Sequence, residues 1–418
     1  MVAFLNGNEM LMRKTHNWSS CLGRIAVALA FACASGVSAS SAPAEQKADD
    51  DLIAARMAFG QVPFNVVSLR SFDRLFEVDT VRKSNKPKRW PRADGKFELS
   101  YQVDGKALGL EDFMRRTYTN ALVVVHDGKI VAEQYRNGMT AETQHATFSI
   151  SKSLVSILVG IAISRGEIVS VDDQITNYAP EFKGTAYDGV TLKQALQMRS
   201  GADFNEDGAP FFDFLEKVIA GNEQRCADFI RLAPRAAQPG TRFNYSSPET
   251  CVVARVLERA TGETLAKYTE RHLWQPIGME HDGNWVLDGK RGQGTAIANG
   301  GYSTSARDLA KIGQLMLDQG RAKNRSVVPA TWVNVSTSTD GDPTKSQVDG
   351  YGYHWWTLGD PSAFSGVGYN GQYLYVVPSQ KLVIVKFSYW PTGGDEKLEA
   401  ETLAAFKAIG QAVSLGAN

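Results

Sequence analysis

The stretch "FSISKSLVSILVGIAISRG", Phe148–Gly166, decides the fold of this chain. Leu154, Ile157, Leu158 and Ile161 recur at helical spacing, and the pattern ends at a glycine. The stretch therefore predicts an α-helix. Because it is apolar on most sides, we expect this helix to be buried.

Two predicted strands stand before this helix. Ala121–Val125 and Ile130–Tyr135 are rich in apolar and β-branched residues, and Asp127-Gly128 lies between them. An Asp-Gly pair between two such runs is a strong hairpin signal. An antiparallel pair of strands is therefore expected to lead into the buried helix.

The middle of the chain carries helical signals. In "TLKQALQMRSG", Thr191 and Gln194 predict a capping box. In "SPETCVVARVLERATG", Ser247 is the predicted N-cap and Gly262 the predicted end, and Ser305 opens a third helical pattern.

The last part of the chain returns to the strand period. "YGYHWW", "QYLYVVP" and "KLVIVKFSYW" indicate strands, and a helical pattern follows them. The order predicts an α+β fold in which helices cover an antiparallel sheet, with a mostly α-helical insertion. We expect an N-terminal arm at 40–106, a sheet domain at 107–165 and 300–418, and a mostly helical domain at 166–299.

The N-terminus has the pattern of a secretory signal. Basic residues precede the short apolar run "IAVALAFACASGVSA", which ends in small residues and predicts cleavage after Ala39. The run is too short to span a bilayer, so a retained anchor is the weaker alternative. We therefore expect a signal peptide at 1–39, secretion across the inner membrane, a periplasmic location and no stable membrane anchor.

Composition limits the partners and cofactors. Lys+Arg and Asp+Glu number 45 each among 418 residues, so no overall field indicates a nucleic-acid partner. The histidines have no metal-ligand spacing, and we expect neither a metal nor another cofactor. After cleavage Cys226 and Cys251 remain, either paired or as buried free thiols; the sequence leaves both alternatives open.

A dinucleotide-binding pattern appears at "GVGYNG", Gly366–Gly371. That pattern binds a pyrophosphate only where a helix follows it. Here the strand-like "QYLYVVP" follows instead. The match is therefore interpreted as a coincidence of glycines.

Ser149 and Lys152 are the candidate nucleophile and base. Residues three apart share a helix face, and the first turn of a helix offers N–H groups to a developing oxyanion. Burial would lower the pKa of Lys152 and let it act as a neutral base. The alternative is a helix-capping serine beside a surface lysine.

These motifs together resemble a known family. "FSISKS", "ITNYAPEF", "TLKQALQMRSG", "GGYSTSARDLAKIGQLMLDQG" and "YGYHWW" are similar to the serine β-lactamase-like superfamily, and most similar to its class C-like hydrolases, which include family VIII esterases and 6-aminohexanoate-dimer hydrolases. The resemblance runs from about Arg70 to Ala412. It implies the β-lactamase/transpeptidase-like form of the fold.

The resemblance also implies roles for further residues. Tyr245 in "FNYSSPE" matches the tyrosine that shares proton transfer with the lysine, and Ser247 stands where the family usually has a substrate-contacting Asn. Tyr369-Asn370-Gly371 stands at the position of the family's K-T-G motif, which lines the substrate. The backbone N–H groups of Ser149 and Gln372 are then the implied oxyanion hole.

The departures from the family pattern bear on the substrate. Tyr369 cannot supply the charge with which the K-T-G lysine binds a carboxylate. We therefore expect a serine hydrolase that cleaves a small ester or linear amide through an acyl-enzyme. The alternatives are a β-lactamase or D,D-peptidase and, from a different class, a catalytically silent homologue that binds cell-wall fragments or a partner.

Overall fold

The computed structural model describes residues 44–221, 224–339, 349–359 and 362–415. The predicted signal peptide at 1–39 lies outside these residues. The chain divides into Met1–Asp51 and one compact unit from Leu52 to Asn418. In the described part of the chain, no helix combines the length and the apolar composition that crossing a membrane requires.

A seven-stranded antiparallel sheet forms the centre of the compact unit. Its first two strands, β4 (Thr119–His126) and β5 (Lys129–Tyr135), confirm the predicted hairpin. Asp127 and Gly128 have φ values of 46° and 73°, as a tight hairpin turn requires. The other five strands are β11 (Gly350–Tyr351), β12 (Trp356–Gly359), β13 (Ser362–Gly368), β14 (Gln372–Val377) and β15 (Leu382–Ser388).

The strand order of this sheet is β11-β12-β13-β14-β15-β4-β5. "QYLYVVP" and "KLVIVKFSYW" thus contain strands, as predicted. "YGYHWW" is not one strand, because residues 352–355 leave the ladder between β11 and β12. In that break His354 has a positive φ of 60° and its N–H donates to the carbonyl of Leu196.

Helices cover both faces of the sheet. The predicted buried helix is α5 (Ile150–Ser164), and it packs with α13 (Ala306–Leu317) on one face. The side chains of β4 alternate, so that Val123 and Val125 join this core while Leu122 and Val124 join the other. Helices α4 (Leu110–Arg116) and α15 (Glu396–Leu415) cover that second face.

The mostly helical region carries short helices, as the pattern predicted. They are α6 (Ile175–Tyr178), α7 (Leu192–Leu196), α8 (Ala209–Phe214), α9 (Cys226–Arg231), α10 (Glu249–Thr261), α11 (Leu265–Thr269) and α12 (Gln275–Ile277), and π-helical turns at Leu215–Ala220 and Glu270–Trp274 extend α8 and α11. Thr191 and Gln194 form the predicted capping box, and Ser305 caps α13. Helix α14 (Ala330–Ser336) lies later in the chain.

A second, four-stranded sheet takes strands from the predicted arm, the helical region and the sheet domain. Its order is β1-β7-β8-β6, with β1 at Val78–Val81, β7 at Gly283–Val286, β8 at Tyr302–Ser305 and β6 at Gln144–Ala146. The remaining described elements are two small hairpins, three α-helices and two 3₁₀ helices. They are β2 (Tyr101–Val103) with β3 (Lys106–Leu108), β9 (Arg321–Ala322) with β10 (Arg325–Ser326), α1 (Ala44–Ala58), α2 (Asn65–Ser68) and α3 (Phe72–Leu75), and the 3₁₀ helices Pro180–Phe182 and Pro378–Gln380. The predicted domain boundaries stay a prediction.

Candidate active site

Ser149 stands at the N-terminus of α5, where its backbone is already helical. Phe148 before it has a positive φ of 47°, which is uncommon for a residue with a side chain. The carbonyls of Thr147 and Phe148 accept the N–H groups of Ile150 and Ser151. Ser149 Oγ makes no capping hydrogen bond, and its side chain is partly exposed, so the hydroxyl is open to chemistry.

Lys152 lies one helical turn later and is only 1% exposed. Its Nζ lies 2.8 Å from Ser149 Oγ, 2.8 Å from the carbonyl oxygen of Asn299 and 3.2 Å from Ser247 Oγ. Burial lowers the pKa of Lys152 to about 7, and the carboxylate of Glu206 opposes this shift. The alternative of a surface lysine is wrong for this residue.

Tyr245 completes the predicted group of three. Its ring stacks on Trp356 with centroids 5.4 Å apart, and Lys152 Nζ lies 5.1 Å from its ring centroid. Burial raises the pKa of Tyr245 above its usual value of 10.0, and the neighbouring Ser149 side chain opposes this shift. Tyr245 is therefore neutral at physiological pH and can donate a proton.

Ser247 has a different role from the predicted helix cap. Pro248 occupies the N-cap position of α10, and no side chain caps that end. The N–H of Ser247 donates to Glu206 Oε2 at 2.9 Å, and its hydroxyl donates to Glu206 Oε1. Because Ser247 is also only 4% exposed, it lies inside the site rather than on a substrate-facing surface.

Glu206 and Asn299 are site residues that the sequence did not reveal. Glu206 belongs to no motif with a known role, and its link to Ser247 spans 41 residues. Asn299 contributes a backbone carbonyl, for which no side-chain motif exists. Its side-chain oxygen contacts the sulfurs of Cys226 and Cys251, which form a disulfide with Cα atoms 5.8 Å apart.

The Tyr369-Asn370-Gly371 segment forms the loop between β13 and β14 rather than part of a strand. Tyr369 is 40% exposed, and its ring contacts that of Phe148, next to Ser149. Asn370 is 0% exposed and donates through Nδ2 to the carbonyl of Trp390. Gly371 has a φ of 81° and lies tightly against the Trp390 ring. The exposure of Tyr369 is therefore compatible with the predicted substrate contact. The burial of Asn370 and Gly371 argues against such a contact by these two residues.

Gln372 lies in β14, opposite Gly368 of β13. Its side-chain amide donates to the carbonyls of Tyr369, Asn370 and Ser388. The strand that approaches the start of α5 is β13: a Cβ on Gly368 would lie 2.3 Å from the carbonyl oxygen of Thr147. The oxyanion role of Gln372 stays a prediction, and β13 offers a competing N–H from 366–368.

The described residues show no cluster of three or more His, Cys, Asp or Glu side chains able to hold a metal ion.

Comparisons with known proteins agree with this architecture. The beta-lactamase family model matches residues 110–408. The 6-aminohexanoate-dimer hydrolase of Paenarthrobacter ureafaciens is 33% identical over 299 residues, which cover 68% of this chain and 75% of that protein. Esterase EstB of Burkholderia gladioli is 30% identical over 157 residues, which cover 35% of this chain and 39% of the esterase.

Solved structures confirm the fold. A Bacillus anthracis protein provisionally named a 6-aminohexanoate-dimer hydrolase superposes with a TM-score of 0.77 at 24% identity, covering 85% of this chain and 96% of that one. An octameric penicillin-binding protein homologue from Pyrococcus abyssi gives a TM-score of 0.55 at 19% identity, covering 71% of this chain and 76% of that one. At these identities the likeness shows the fold alone. Because the beta-lactamase family model matches most of this chain, the chain belongs to the beta-lactamase family, whose members are hydrolases.

Proposed function

We propose that this protein is a secreted serine hydrolase that cleaves a carboxylic ester or a linear amide through an acyl-enzyme. The observation that carries the proposal is the 2.8 Å separation between Lys152 Nζ and Ser149 Oγ, with the amine buried and its pKa lowered to about 7. A base with such a pKa is partly neutral at physiological pH and can accept the serine proton.

In the acylation step, Ser149 Oγ attacks the substrate carbonyl carbon while its proton passes to Lys152 Nζ. The carbonyl π electrons move to oxygen, which becomes the oxyanion. The N–H of Ser149 lies at the positive end of a 15-residue helix and supports that charge. A second N–H, from Gln372 or from 366–368 of β13, would complete the hole.

Collapse of the tetrahedral intermediate then breaks the bond to the leaving group. Tyr245 donates its phenolic proton to the departing alcohol or amine, and Lys152 returns a proton to Tyr245. In deacylation, water loses a proton to the same pair while its oxygen attacks the acyl carbon. The bond between that carbon and Ser149 Oγ then breaks, the acid leaves, and the proton returns to Ser149 Oγ. The position of Tyr245 beside Ser149, with Lys152 Nζ 5.1 Å from the centroid of its ring, supports this shared role.

The substrate class is inferred from two features. Tyr369 replaces the lysine with which the family binds a carboxylate, and it presents a partly exposed ring beside Phe148. The relatives include a protein named for hydrolysis of an aminohexanoate dimer and a protein named as an esterase. These features favour an ester or linear amide over a β-lactam or a D,D-peptide.

Secretion to the periplasm remains part of the proposal. The N-terminal signal pattern supports it, and so does the disulfide between Cys226 and Cys251, because disulfides persist mainly in oxidising compartments. A small ester or amide is the only partner that the proposal requires.

Turnover assays on the mature protein test this function. We would assay p-nitrophenyl esters, a linear 6-aminohexanoate dimer and a chromogenic cephalosporin, with Ser149→Ala as the matched control. The proposal predicts ester or amide turnover that the variant lacks. Turnover of the cephalosporin alone would select the β-lactamase alternative, and no turnover by folded protein would favour the silent binding homologue.

A further inference from the structure

A chain of hydrogen bonds leads from Lys152 away from the nucleophile. Lys152 Nζ lies 3.2 Å from Ser247 Oγ, and both the hydroxyl and the N–H of Ser247 donate to the carboxylate of Glu206. Burial raises the pKa of Glu206, and Lys152 and Ser247 oppose this shift. In its ionised form the Glu206 carboxylate only accepts hydrogen bonds, and a hydroxyl has a single proton to give. Ser247 therefore uses its proton on Glu206 and can only accept from Lys152.

This direction fixes the orientation of the amine. Neutral Lys152 has two N–H bonds and one lone pair. The carbonyl oxygen of Asn299, at 2.8 Å, and Ser247 Oγ are both acceptors, so they take the two N–H bonds. The lone pair then points at the third neighbour, Ser149 Oγ, from which a base must take a proton.

We propose that Glu206 and Ser247 are positioning residues for Lys152: Glu206 orders the Ser247 hydroxyl as an acceptor, which aims the lysine lone pair at Ser149. The inference rests on the proposed function, because it concerns how the base of that mechanism is oriented. It assigns to Ser247 a role inside the site in place of the predicted substrate contact.

The proton balance of the step is simple. One proton moves from Ser149 Oγ to Lys152 Nζ, while Ser247 and Glu206 keep the protons and charges they had. Lys152 becomes an ammonium group whose three N–H bonds find acceptors in the substrate-bound oxygen of Ser149, Ser247 and Asn299. The carboxylate of Glu206 also stabilises that new positive charge, because it raises the pKa of Lys152.

Other titratable groups surround the hydrogen bonds that join Lys152, Ser247 and Glu206, and a test based on pH must account for them. The groups that face Lys152 or Glu206 are Tyr245, Asp207, Tyr351 and His354, and Glu249 lies behind Tyr351. Burial lowers the pKa of His354 to about 3 and raises those of both tyrosines, so these three stay neutral from pH 6 to 9. Burial raises the pKa of Glu249 to about 8, so its titration has to be separated from that of Lys152.

The decisive variant is Glu206→Gln. The amide nitrogen of glutamine would donate to Ser247 Oγ and free the serine proton to bond the lysine lone pair, which turns that lone pair away from Ser149. Loss of the carboxylate also lowers the pKa of Lys152. We expect labelling of Ser149 by a fluorophosphonate to slow by about 10-fold or more at its alkaline plateau, and the acid limb of the rate to move to lower pH by about one unit.

Four further variants make the test specific. Ser247→Ala removes the link and should slow labelling to a similar extent, and the double variant should show no additional loss, because both changes break one chain. Ser247→Thr keeps the hydroxyl and should retain most of the rate. Asp203→Asn removes an exposed carboxylate three residues from Glu206. This variant should change neither the labelling rate of Ser149 nor the pH of the acid limb.

The readouts are intact mass against time from pH 5.5 to 10, kcat and KM on p-nitrophenyl butyrate, and thermal unfolding of each variant. A fall in kcat with little change in KM, together with the shifted limb, supports the inference. Two results would overturn the inference and leave the serine mechanism intact. One is an acid limb that does not move in folded Glu206→Gln, and the other is an additive loss of labelling rate in the double variant. Absence of labelling in the wild-type protein would overturn both the inference and the serine mechanism.

Discussion

Lys152 Nζ lies 2.8 Å from Ser149 Oγ, and the lysine is buried within a largely apolar helix. The same burial that lowers the pKa of the amine excludes the water that would otherwise compete for its lone pair. In the proposed mechanism, the fold supplies a base by placing a lysine where its charged form is costly.

Activity should depend on pH in a defined direction. The mechanism needs neutral Lys152, and its pKa is about 7, so the base is mostly protonated below that pH and mostly neutral above it. We expect kcat/KM to rise with pH up to about 7 and then to level off. Initial rates on a p-nitrophenyl ester from pH 5 to 9 measure this, and a flat or falling profile would contradict the assigned base.

Replacement of the lysine should separate activity from stability. Lys152→Met keeps a long apolar side chain and removes the base, so turnover should be lost. In the wild-type protein the unfolded lysine binds a proton more readily than the folded one, because the folded pKa is lowered. The variant should therefore be more stable than wild type, by a margin that is larger at pH 6 than at pH 9.

Thermal unfolding of both proteins at the two pH values checks this expectation. A variant that is less stable than wild type at both pH values would mean that the amine contributes more through its hydrogen bonds than it costs through burial. The accompanying loss of turnover would then need a structural explanation.

Tyr245→Phe should impair chemistry while keeping the packing. The phenyl ring preserves the stack on Trp356 and the contact with Lys152, and only the hydroxyl beside Ser149 disappears. We expect kcat to fall by about 10²–10⁴-fold, the range typical of a lost proton-transfer group. Tyr351→Phe is the matched control, since its ring lies 6.1 Å from that of Tyr245 and it has no assigned role. Equal effects of both variants would argue for a packing role.

The disulfide should contribute to stability. Cys226 and Cys251 are separated by 25 residues, and closing a loop of this size stabilises a fold by about 3.5 kcal/mol in the chain-entropy model. The double variant Cys226→Ala/Cys251→Ala should unfold at a lower urea concentration. Both sulfurs contact Asn299, whose carbonyl oxygen lies beside Lys152 Nζ. Labelling of Ser149 by a fluorophosphonate should therefore also be slower in the double variant. An unchanged urea midpoint would contradict the stabilising role.

Much of the fold could be predicted because its signals are local. The Asp127-Gly128 turn specified a hairpin through its positive φ values, and the 3.6-residue period with a terminal glycine specified α5. The pairing of β1 with β7 could not be predicted, because it joins residues about two hundred positions apart through short strands with no periodic signal of their own.

The candidate site likewise has one part that local sequence signals predict and another part that depends on the tertiary fold. Ser149 and Lys152 share one helix face, so their proximity follows from their spacing. Glu206 reaches Ser247 only through the tertiary fold, and Asn299 reaches Lys152 from 147 residues away through a backbone carbonyl. The resemblance assigned a substrate contact to Tyr369, Asn370 and Gly371 together. The packing of Asn370 and Gly371 on Trp390 comes from the tertiary fold, which a local motif does not specify.

The measurement that tests the central claim most directly is the intact mass of the mature protein after incubation with a fluorophosphonate, with Ser149→Ala treated in parallel. The account predicts a single adduct on the wild-type protein and none on the folded variant. An unmodified wild-type protein, or an equal adduct on both proteins, would show that Ser149 is not an activated nucleophile and would contradict the account.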